Sequence, residues 1–489
     1  MSKAAWLEAL VDKRHRINDG GCFFGDQAPQ QIDCGARKSR RVATDRLYTA
    51  CSCESATWGN MSDSVQQNPY TSMSARYYTL GLLTVVYTFN FIDRQLLSIL
   101  QESIKADLLL SDQQLGLLTG FAFALFYVTA GIPIARWADR ANRRNIVALA
   151  IGTWSFMTAL SGFVQNYVQL LLARVGVGVG EAGGSPPAHS IISDIFPPER
   201  RASALAFYST GVNIGILFGF LVGGWLNEFF DWRTAFIVVG APGILIALLV
   251  RYTLREPIRG LSEQRTRDAE TVPFIDVLKL LLGRASFRHM AFGAALNAFA
   301  GYSTSSWTAS FMIRSHGMTT GELGTWLALI LGLGGAIGVL AGGVIAERLA
   351  RKDVRWHMWL PTLTGLICIP FMAASYLVAG AYTALIVSII PGILFNVYLG
   401  NTLAMTHGLV GLRMRALASA ILFFVLNLIG LGLGPWAVGV LSDVLAPTLG
   451  QESLRHAMLY LLPIAMTWSV LHFYMASRSL REDLADAPD

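Results

Sequence analysis

Two pairs of charged residues lie inside long apolar stretches of this sequence. Asp93 and Arg94 are adjacent in FNFIDRQLL, and Arg174 and Glu181 are seven residues apart in a second apolar run. A charged side chain in hydrocarbon costs at least a few kcal/mol, so such residues usually face a cavity, find a partner and carry function. A buried carboxyl that meets a guanidinium in only one conformation can bind and release a proton. These residues therefore form a candidate proton-coupling site.

Helix geometry predicts how these charges meet. Adjacent residues point about 100° apart, so Asp93 and Arg94 need separate partners. Counted at ~1.5 Å per residue from opposite membrane faces, Asp93 and Arg174 lie at nearly the same depth, and Glu181 lies two turns from Arg174 on the same helix face. We expect an Asp93–Arg174 contact, Glu181 as the main proton-titrating group, and Arg94 facing Glu181 or a ligand. A static buried ion pair is the alternative.

The elements that hold these residues must be membrane-spanning helices. Of the 489 residues, 53% are hydrophobic and 14% are charged, whereas soluble domains carry about 25% charged residues. The apolar blocks are long enough to cross a ~30 Å hydrocarbon core as helices, and the alternation typical of a barrel is absent. The sequence predicts an all-α polytopic membrane protein. We expect twelve spans, at residues 78–100, 114–137, 146–164, 167–192, 203–226, 234–251, 287–312, 321–346, 357–378, 382–407, 416–441 and 455–476.

Lysine and arginine are concentrated in the connections on one side of this bundle. About 21 basic residues lie there, against four on the opposite side, which predicts that both termini are cytoplasmic. The short connections on the opposite side favour a multi-pass protein of the bacterial inner (plasma) membrane. Because topology accounts for the net charge of +6, no nucleic-acid partner is expected.

Composition also divides the chain. The N-terminal segment holds four of the five cysteines and no apolar core of a signal peptide, so we expect a disordered leader, with Met61 as an alternative translation start. The expected parts are a leader at 1–74, a six-helix bundle at 75–251, a cytoplasmic linker at 252–286, a second six-helix bundle at 287–478 and a cytoplasmic tail at 479–489.

No cofactor or metal site is expected. Cys51 and Cys53 are too close together for a zinc-binding arm and lack a matching pair. Gly178, Gly180 and Gly183 have the spacing of a dinucleotide site, but they continue an apolar helix and follow no strand.

A short motif repeats between the two halves. Residues 138–144 read ADRANRR and residues 346–352 read AERLARK, 208 residues apart, with six expected spans between equivalent points. Recurrence at this period indicates two halves related by a parallel repeat.

With this repeat, the chain resembles the major facilitator superfamily over roughly residues 75–480. The loop motif of that superfamily matches Asp139, Arg140, Arg143 and Arg144, while Ala135 and Asn142 stand where the family pattern has glycine. The resemblance implies that these charges bridge the cytoplasmic ends of helices, with Asp194 at the end of the fourth helix as the acidic partner. A solvated Asp194 is the alternative.

A narrower resemblance rests on FNFIDRQLL, on LLARVGVGVGEAGGSPPAHSIISDIFPPERR in the fourth span, and on the glycine-rich fifth span. These stretches resemble the Spinster family, whose members are tied to export or movement of sphingoid lipids and lysolipids. The resemblance implies a secondary transporter that moves an amphipathic lipid-like substrate by alternating access. The buried charges favour coupling to protons, and a monomer is expected. Arg94 or Arg174 would meet the substrate head group, and the apolar second half would hold its chain.

Other functions remain as alternatives. A superfamily exporter of drugs or other small hydrophobic molecules fits the same spans. A polytopic membrane enzyme could use Glu181 and His189, but no nucleophile–base set accompanies them, so the protein is not expected to be an enzyme.

Glycine and proline mark two helices. Gly211, Gly215, Gly219 and Gly223 recur every four residues in the fifth span, which predicts a flat ridge for close packing. The superfamily resemblance implies that this helix packs across the interface between the halves, which would make the ridge a surface on which they rock; static packing is the alternative. Pro186 and Pro187 follow Glu181 and predict a kink beside it.

Overall fold

The computed structural model describes residue 70 and residues 72–260 and 273–488. Most of the expected leader, including Met61, Cys51 and Cys53, and the centre of the expected linker lie outside the described residues. The described residues form helices and contain no strand.

Twelve helical segments follow one another in the described part of the chain, and several are interrupted. The first six are α1 (Met73–Leu108), α2 (Asp112–Ala138), α3 (Arg143–Ser161), α4 (Tyr167–Glu181 and Ser185–Ile195), α5 (Pro198–Phe229) and α6 (Trp232–Thr253). The next six are α7 (Ala285–His316), α8 (Thr320–Ala350), α9 (Trp356–Leu377), α10 (Ala381–Gly408), α11 (Arg415–Val425, Leu426–Leu433 and Gly434–Leu449) and α12 (Ser453–Ala485). A further short helix, Phe274–Gly283, precedes α7 and is called the linker helix.

Seven helical stretches of the described residues are long and apolar enough to cross a membrane, judged by length and composition. The count of twelve spans stays a prediction. We call the side of the bundle that carries the basic connections and the end of α12 the basic face, and the opposite side the distal face.

The two halves share two of their main helix pairings, although α7 also lies along α12, whereas the equivalent α1 and α6 pack much less against each other. In the first half α1 lies along α5 and α3 lies along α6, and in the second half α7 lies along α11 and α9 lies along α12. Wider π-helical turns interrupt α2 and α8, which hold equivalent places in the repeat, and also α11. Such turns are often found at functional sites.

Several helix ends differ from those expected from hydropathy. The Ser72 side chain accepts a hydrogen bond from the Ala75 backbone N–H at 3.3 Å, so α1 begins at Met73 inside the expected leader. At the other end, α12 continues to Ala485, beyond the expected start of the tail. These differences arise because caps and packing, rather than hydropathy, fix where a helix ends.

The kink predicted in the fourth span is confirmed as a break. The first part of α4 ends at Glu181, residues 182–184 form turns, and a second part starts at Ser185. Pro186 and Pro187 lack backbone N–H groups, so the carbonyls one turn before them lose their helical partners. The candidate carboxyl therefore sits at the end of a half-helix.

The glycine ridge of α5 faces α1 of its own half. A Cβ atom on Gly215 would lie 2.5 Å from the Thr88 carbonyl oxygen and from Phe91 Cβ, so only glycine allows this approach. The close contact across the halves lies one step further along α5, where a Cβ atom on Gly224 would lie 2.4 Å from the Thr320 carbonyl oxygen. The ridge thus fits static packing, and the proposed rocking surface does not coincide with it.

Candidate functional site

The two charged stretches meet between α1 and α4. Arg174 Nη1 lies 3.6 Å from Asp93 Oδ1, and the side chains are 2% and 3% exposed. The contact expected from depth counting is therefore present. At 3.6 Å it is an ion pair without a hydrogen bond. The Thr158 hydroxyl of α3 is a further polar neighbour of the Asp93 carboxylate.

The second pair is tighter. Arg94 Nε donates a hydrogen bond to Glu181 Oε2 at 2.7 Å, and the Glu181 side chain is fully buried, whereas that of Arg94 is 14% exposed. Glu181 Oε1 has no hydrogen-bond partner among the described residues. Adjacent residues of α1 thus serve two partners that are two turns apart on α4, as their 100° separation requires.

Aromatic rings surround the Arg94 guanidinium. Its carbon lies 4.9 Å from the ring centroids of Phe91 and Phe123 and 5.0 Å from that of Tyr127. Such rings attract a cation through their negative faces, and they hold the guanidinium in place without neutralising its charge. Among the described residues, Glu181 is the one acid at hydrogen-bonding distance that balances the charge of Arg94.

A wider aromatic cluster extends from this site toward the basic face. The rings of Tyr87 and Tyr208 stack with centroids 4.5 Å apart, and His189 meets the edge of Tyr208 at 5.2 Å. Tyr302 of the second half packs against the same cluster. The sequence did not single out Tyr87, Tyr127 or Tyr208, because a lone tyrosine in an apolar helix carries no spacing signal.

Of the loop-motif residues, Arg143 forms the expected bridge. It is 1% exposed, and its Nη1 donates to Asp194 Oδ2 at 2.5 Å and to Ser190 Oγ at 2.7 Å. Asp194 is therefore paired rather than solvated. Asp139 and Arg140 are exposed, and their side chains make no hydrogen bond or ion pair within the described residues.

Within the described residues, the Arg144 side chain donates a hydrogen bond only to its neighbour Asn145, at 3.1 Å. Asn142, which replaces a family glycine, caps α3 by accepting a hydrogen bond from the Asn145 backbone N–H at 3.1 Å. Asparagine at this position thus lacks the backbone freedom of glycine but supplies a helix cap.

The segment after α6 completes this cluster, and its role was not predicted from the sequence. Glu256 accepts hydrogen bonds from Arg143 Nε at 2.7 Å and from the Arg144 backbone N–H at 2.9 Å. Arg259 Nη2 donates to the carbonyls of Ala138 and Ala141 at 2.7 and 2.6 Å, and a cation at the carbonyl end of α2 is favoured by the helix dipole. The sequence feature that could have indicated this segment is the pair of Glu256 and Arg259, an acid and a base three residues apart in REPIRG.

The profile of the Major Facilitator Superfamily matches residues 83–435. The chain belongs to the Major Facilitator Superfamily. Among known members, an MFS-type efflux pump of Mycolicibacterium smegmatis is 34% identical over 407 residues, which cover 83% of this chain and 94% of the pump. Protein spinster homolog 1 of Xenopus laevis is 28% identical over 387 residues, covering 74% of this chain and 72% of that protein.

The solved structures agree with this assignment. A bacterial homolog of the human lysosomal transporter Spinster, in an inward-facing and unoccupied conformation, matches with a TM-score of 0.77 and 34% identity over 84% of this chain and 99% of that one. The predicted resemblance to Spinster transporters is confirmed. This superfamily member is a transporter rather than an enzyme, and it is a multi-pass integral protein of the bacterial inner membrane.

At the distal face, Arg314 of this superfamily transporter joins the two halves. It extends from the end of α7 and is 10% exposed. Its Nε and Nη2 donate to the two Glu102 carboxylate oxygens at 2.9 and 2.7 Å, and its Nη1 donates to Asp112 Oδ2 at 2.7 Å. Arg314 lies two residues beyond the expected end of the seventh span, so the sequence did not mark it as a buried charge.

A reciprocal contact crosses at the same place. The Asp443 carboxylate of α11 accepts hydrogen bonds from the backbone N–H groups of Asp112 and Gln113 at 3.0 and 2.8 Å, so a residue of the second half caps a helix of the first. Deeper along the α1–α7 contact, Ser305 donates to Gln95 at 3.0 Å. The two halves of the transporter are thus closed against each other at the distal face.

Proposed function

We propose that this transporter moves an amphipathic, lipid-like substrate of sphingoid or lysophospholipid type by alternating access, coupled to protons. The observation that carries the proposal is the buried Arg94–Glu181 pair at 2.7 Å, in which Arg94 alone retains some exposure. A charge buried at this depth destabilises the protein, so it is usually retained because it has a function.

In the proposed mechanism, Glu181 and the substrate compete for Arg94. With Glu181 ionised, Arg94 is neutralised by it. When Glu181 takes up a proton, the ion pair is lost, and the guanidinium can offer charge-assisted hydrogen bonds to an anionic or zwitterionic head group. Return of Arg94 to Glu181 would expel the proton, since a nearby guanidinium favours the ionised carboxyl.

The Asp93–Arg174 pair is assigned a second role. Because its separation of 3.6 Å leaves it without a hydrogen bond, it can rearrange at lower cost than a bidentate pair. We assign Asp93 to proton coupling and Arg174 to charge pairing or head-group binding. Static pairing that only holds α1 and α4 in register is the alternative.

The second half offers an apolar lining for the substrate chain. A cavity between α7, α8, α9 and α10 is lined by Phe311, Met312, Leu327, Ile330 and Met372, together with several hydroxyl-bearing and small side chains. Its walls are apolar with a few polar groups, as in small-molecule sites, but in this conformation the cavity is far too small for an acyl chain and would have to widen to admit one. The division of labour would place charge recognition in the first half and chain recognition in the second.

The organisation of the chain is proposed in the same terms. We assign twelve spans, a cytoplasmic basic face and a monomeric transporter, with Arg143 of the loop motif and Asp194 stabilising the basic ends of the helices. Alkaline phosphatase and green fluorescent protein fused after Ala485 would report the side of the C terminus. An active phosphatase fusion would contradict a cytoplasmic basic face.

Transport by purified protein in proteoliposomes tests the function. We expect saturable flux of a lysophospholipid or a sphingoid base that increases with a pH gradient, and loss of the pH dependence in Glu181→Gln. The matched control is Glu347→Gln, because Glu347 is 75% exposed on the basic face. Full pH dependence in Glu181→Gln would contradict the coupling role.

A second outcome distinguishes the substrate classes. The 34% identity to an efflux pump favours small hydrophobic molecules as the other candidate substrate. Saturable export of a cationic dye, with no flux of any lysolipid or sphingoid base in the same vesicles, would establish that alternative.

A further inference from the structure

The linker helix presents three different surfaces around its circumference. Val277 and Leu281 are fully buried in the core of the second half. Ile275 and Leu282, seven residues and thus two turns apart, are 52% and 50% exposed. Asp276, with Lys279 nearby on the helical wheel, is also exposed and forms a polar sector. The helix is therefore apolar on a side that no described residue covers.

The position of this helix identifies what covers that side. It ends at Gly283, and α7 starts at Ala285, so its end lies within two residues of a segment that enters the membrane. It also contacts the start of α11, which fixes it against the basic face. A helix with apolar, polar and core-packed sectors at this position is suited to lie in the plane of the interface.

Basic side chains border the exposed apolar sector. Arg288 is exposed, and its Nη1 donates to the Leu282 carbonyl oxygen at 2.5 Å, which places the guanidinium at the end of the linker helix. A guanidinium carries five N–H donors, so donors remain for a phosphate. Lys279 is exposed beside Ile275 on the helical wheel and can extend its ammonium toward head groups.

We propose that the linker helix is a membrane-surface site for anionic phospholipids. Ile275 and Leu282 insert among the acyl chains of the leaflet at the basic face, and Lys279 and Arg288 bind the phosphate-bearing head groups. The site anchors the second half to the leaflet where the chain re-enters the membrane. It is separate from the transport site and does not depend on which substrate is moved.

Spin labels on the linker helix test its insertion. Full-length protein with its five cysteines replaced would carry a single label at 275, 276 or 282, in nanodiscs of phosphatidylcholine and phosphatidylglycerol. We expect the labels at 275 and 282 to be at least threefold more accessible to oxygen than to a water-soluble nickel complex, relative to the label at 276. Equal accessibility at the three positions would overturn the insertion.

Thermal unfolding in detergent tests the lipid preference. Added phosphatidylglycerol is expected to raise the melting temperature more than phosphatidylcholine does, and a Lys279→Gln/Arg288→Gln protein is expected to lose at least half of that difference. Arg351→Gln is the matched control, because Arg351 is a basic-face arginine that is 76% exposed. An unchanged difference in the double variant, or an equal loss in the control, would overturn the site.

Discussion

Replacing Arg314 by methionine is expected to release the distal face. The arginine holds Glu102 and Asp112 of the first half with charge-assisted hydrogen bonds of 2.7–2.9 Å. Breaking a buried ion pair costs about 3–5 kcal/mol. Lys105 and Ser442 remain bonded to Asp112 at 2.5 and 2.6 Å in the variant, which reduces the expected cost to about 2 kcal/mol, or about a thirtyfold shift in the equilibrium between closed and open distal faces.

Distances between spin labels on the distal face measure this shift. Labels at Gln165 and Ala379, one exposed loop position in each half, should report a longer distance population in Arg314→Met than in the unsubstituted protein. Arg314→Lys should fall between them, because it keeps the charge but loses the fork of donors.

The control removes a distal arginine that does not join the halves. Arg233 pairs with Asp107 within the first half, so Arg233→Met should leave the label distances unchanged. Unaltered distances in Arg314→Met, or an equal change in Arg233→Met, would refute the assignment of Arg314 to closure.

Three further perturbations follow from the packing and charge of the described residues. Gly215→Ala should lower the free energy of unfolding by about 1–3 kcal/mol through overpacking, as measured by thermal unfolding in detergent. Gly343→Ala should leave it unchanged, because no atom lies within 4 Å of the added Cβ. Arg355 hydrogen-bonds to Asp353 and lowers the pKa of that carboxyl to about 2. The unsubstituted protein should therefore have a larger free energy of unfolding than Asp353→Asn. This difference should be complete above the unfolded pKa of about 3.9 and should disappear as the pH falls toward 2. Arg259→Gln should raise proteolysis of the connection between α2 and α3 severalfold, because it removes the donors to the carbonyl end of α2.

Each of these expectations has a contradicting result. Equal melting temperatures for the two glycine variants would show that α1 and α5 separate without cost. A constant stability difference between unsubstituted and Asp353→Asn protein from neutral pH to pH 2 would exclude the ion pair as its source. Unchanged cleavage in Arg259→Gln would mean that the remaining contacts of the segment after α6 hold the loop.

The charge pairs could be predicted because helix geometry is regular. Each helical residue turns by about 100°, so Asp93 and Arg94 must find separate partners, since a charge without a partner is costly in hydrocarbon. Each residue also rises by ~1.5 Å, which places Arg174 level with Asp93. The same regularity predicted the break after Glu181, since two consecutive prolines remove two backbone donors.

Contacts between segments far apart in the chain could not be predicted in this way. Glu256 and Arg259 follow α6 in a segment that the sequence assigns to a linker, yet they bind Arg143 and the end of α2. Asp443 caps α2 from 331 residues away. No periodicity links such residues, because their meeting depends on how whole helices are placed against one another.

The sequence alone determined the class of protein and the residues that bear charge in its membrane interior. Apolar block length, the excess of basic residues on one side and the repeated loop motif follow from the energetics of the bilayer, which act on each segment locally. Only the tertiary structure decided that the glycine ridge serves α1 rather than the interface between halves, and that Arg314 closes the distal face. The reason is physical: a helix can bury any of its sides, and which side meets which neighbour is set by the packing of all the helices together.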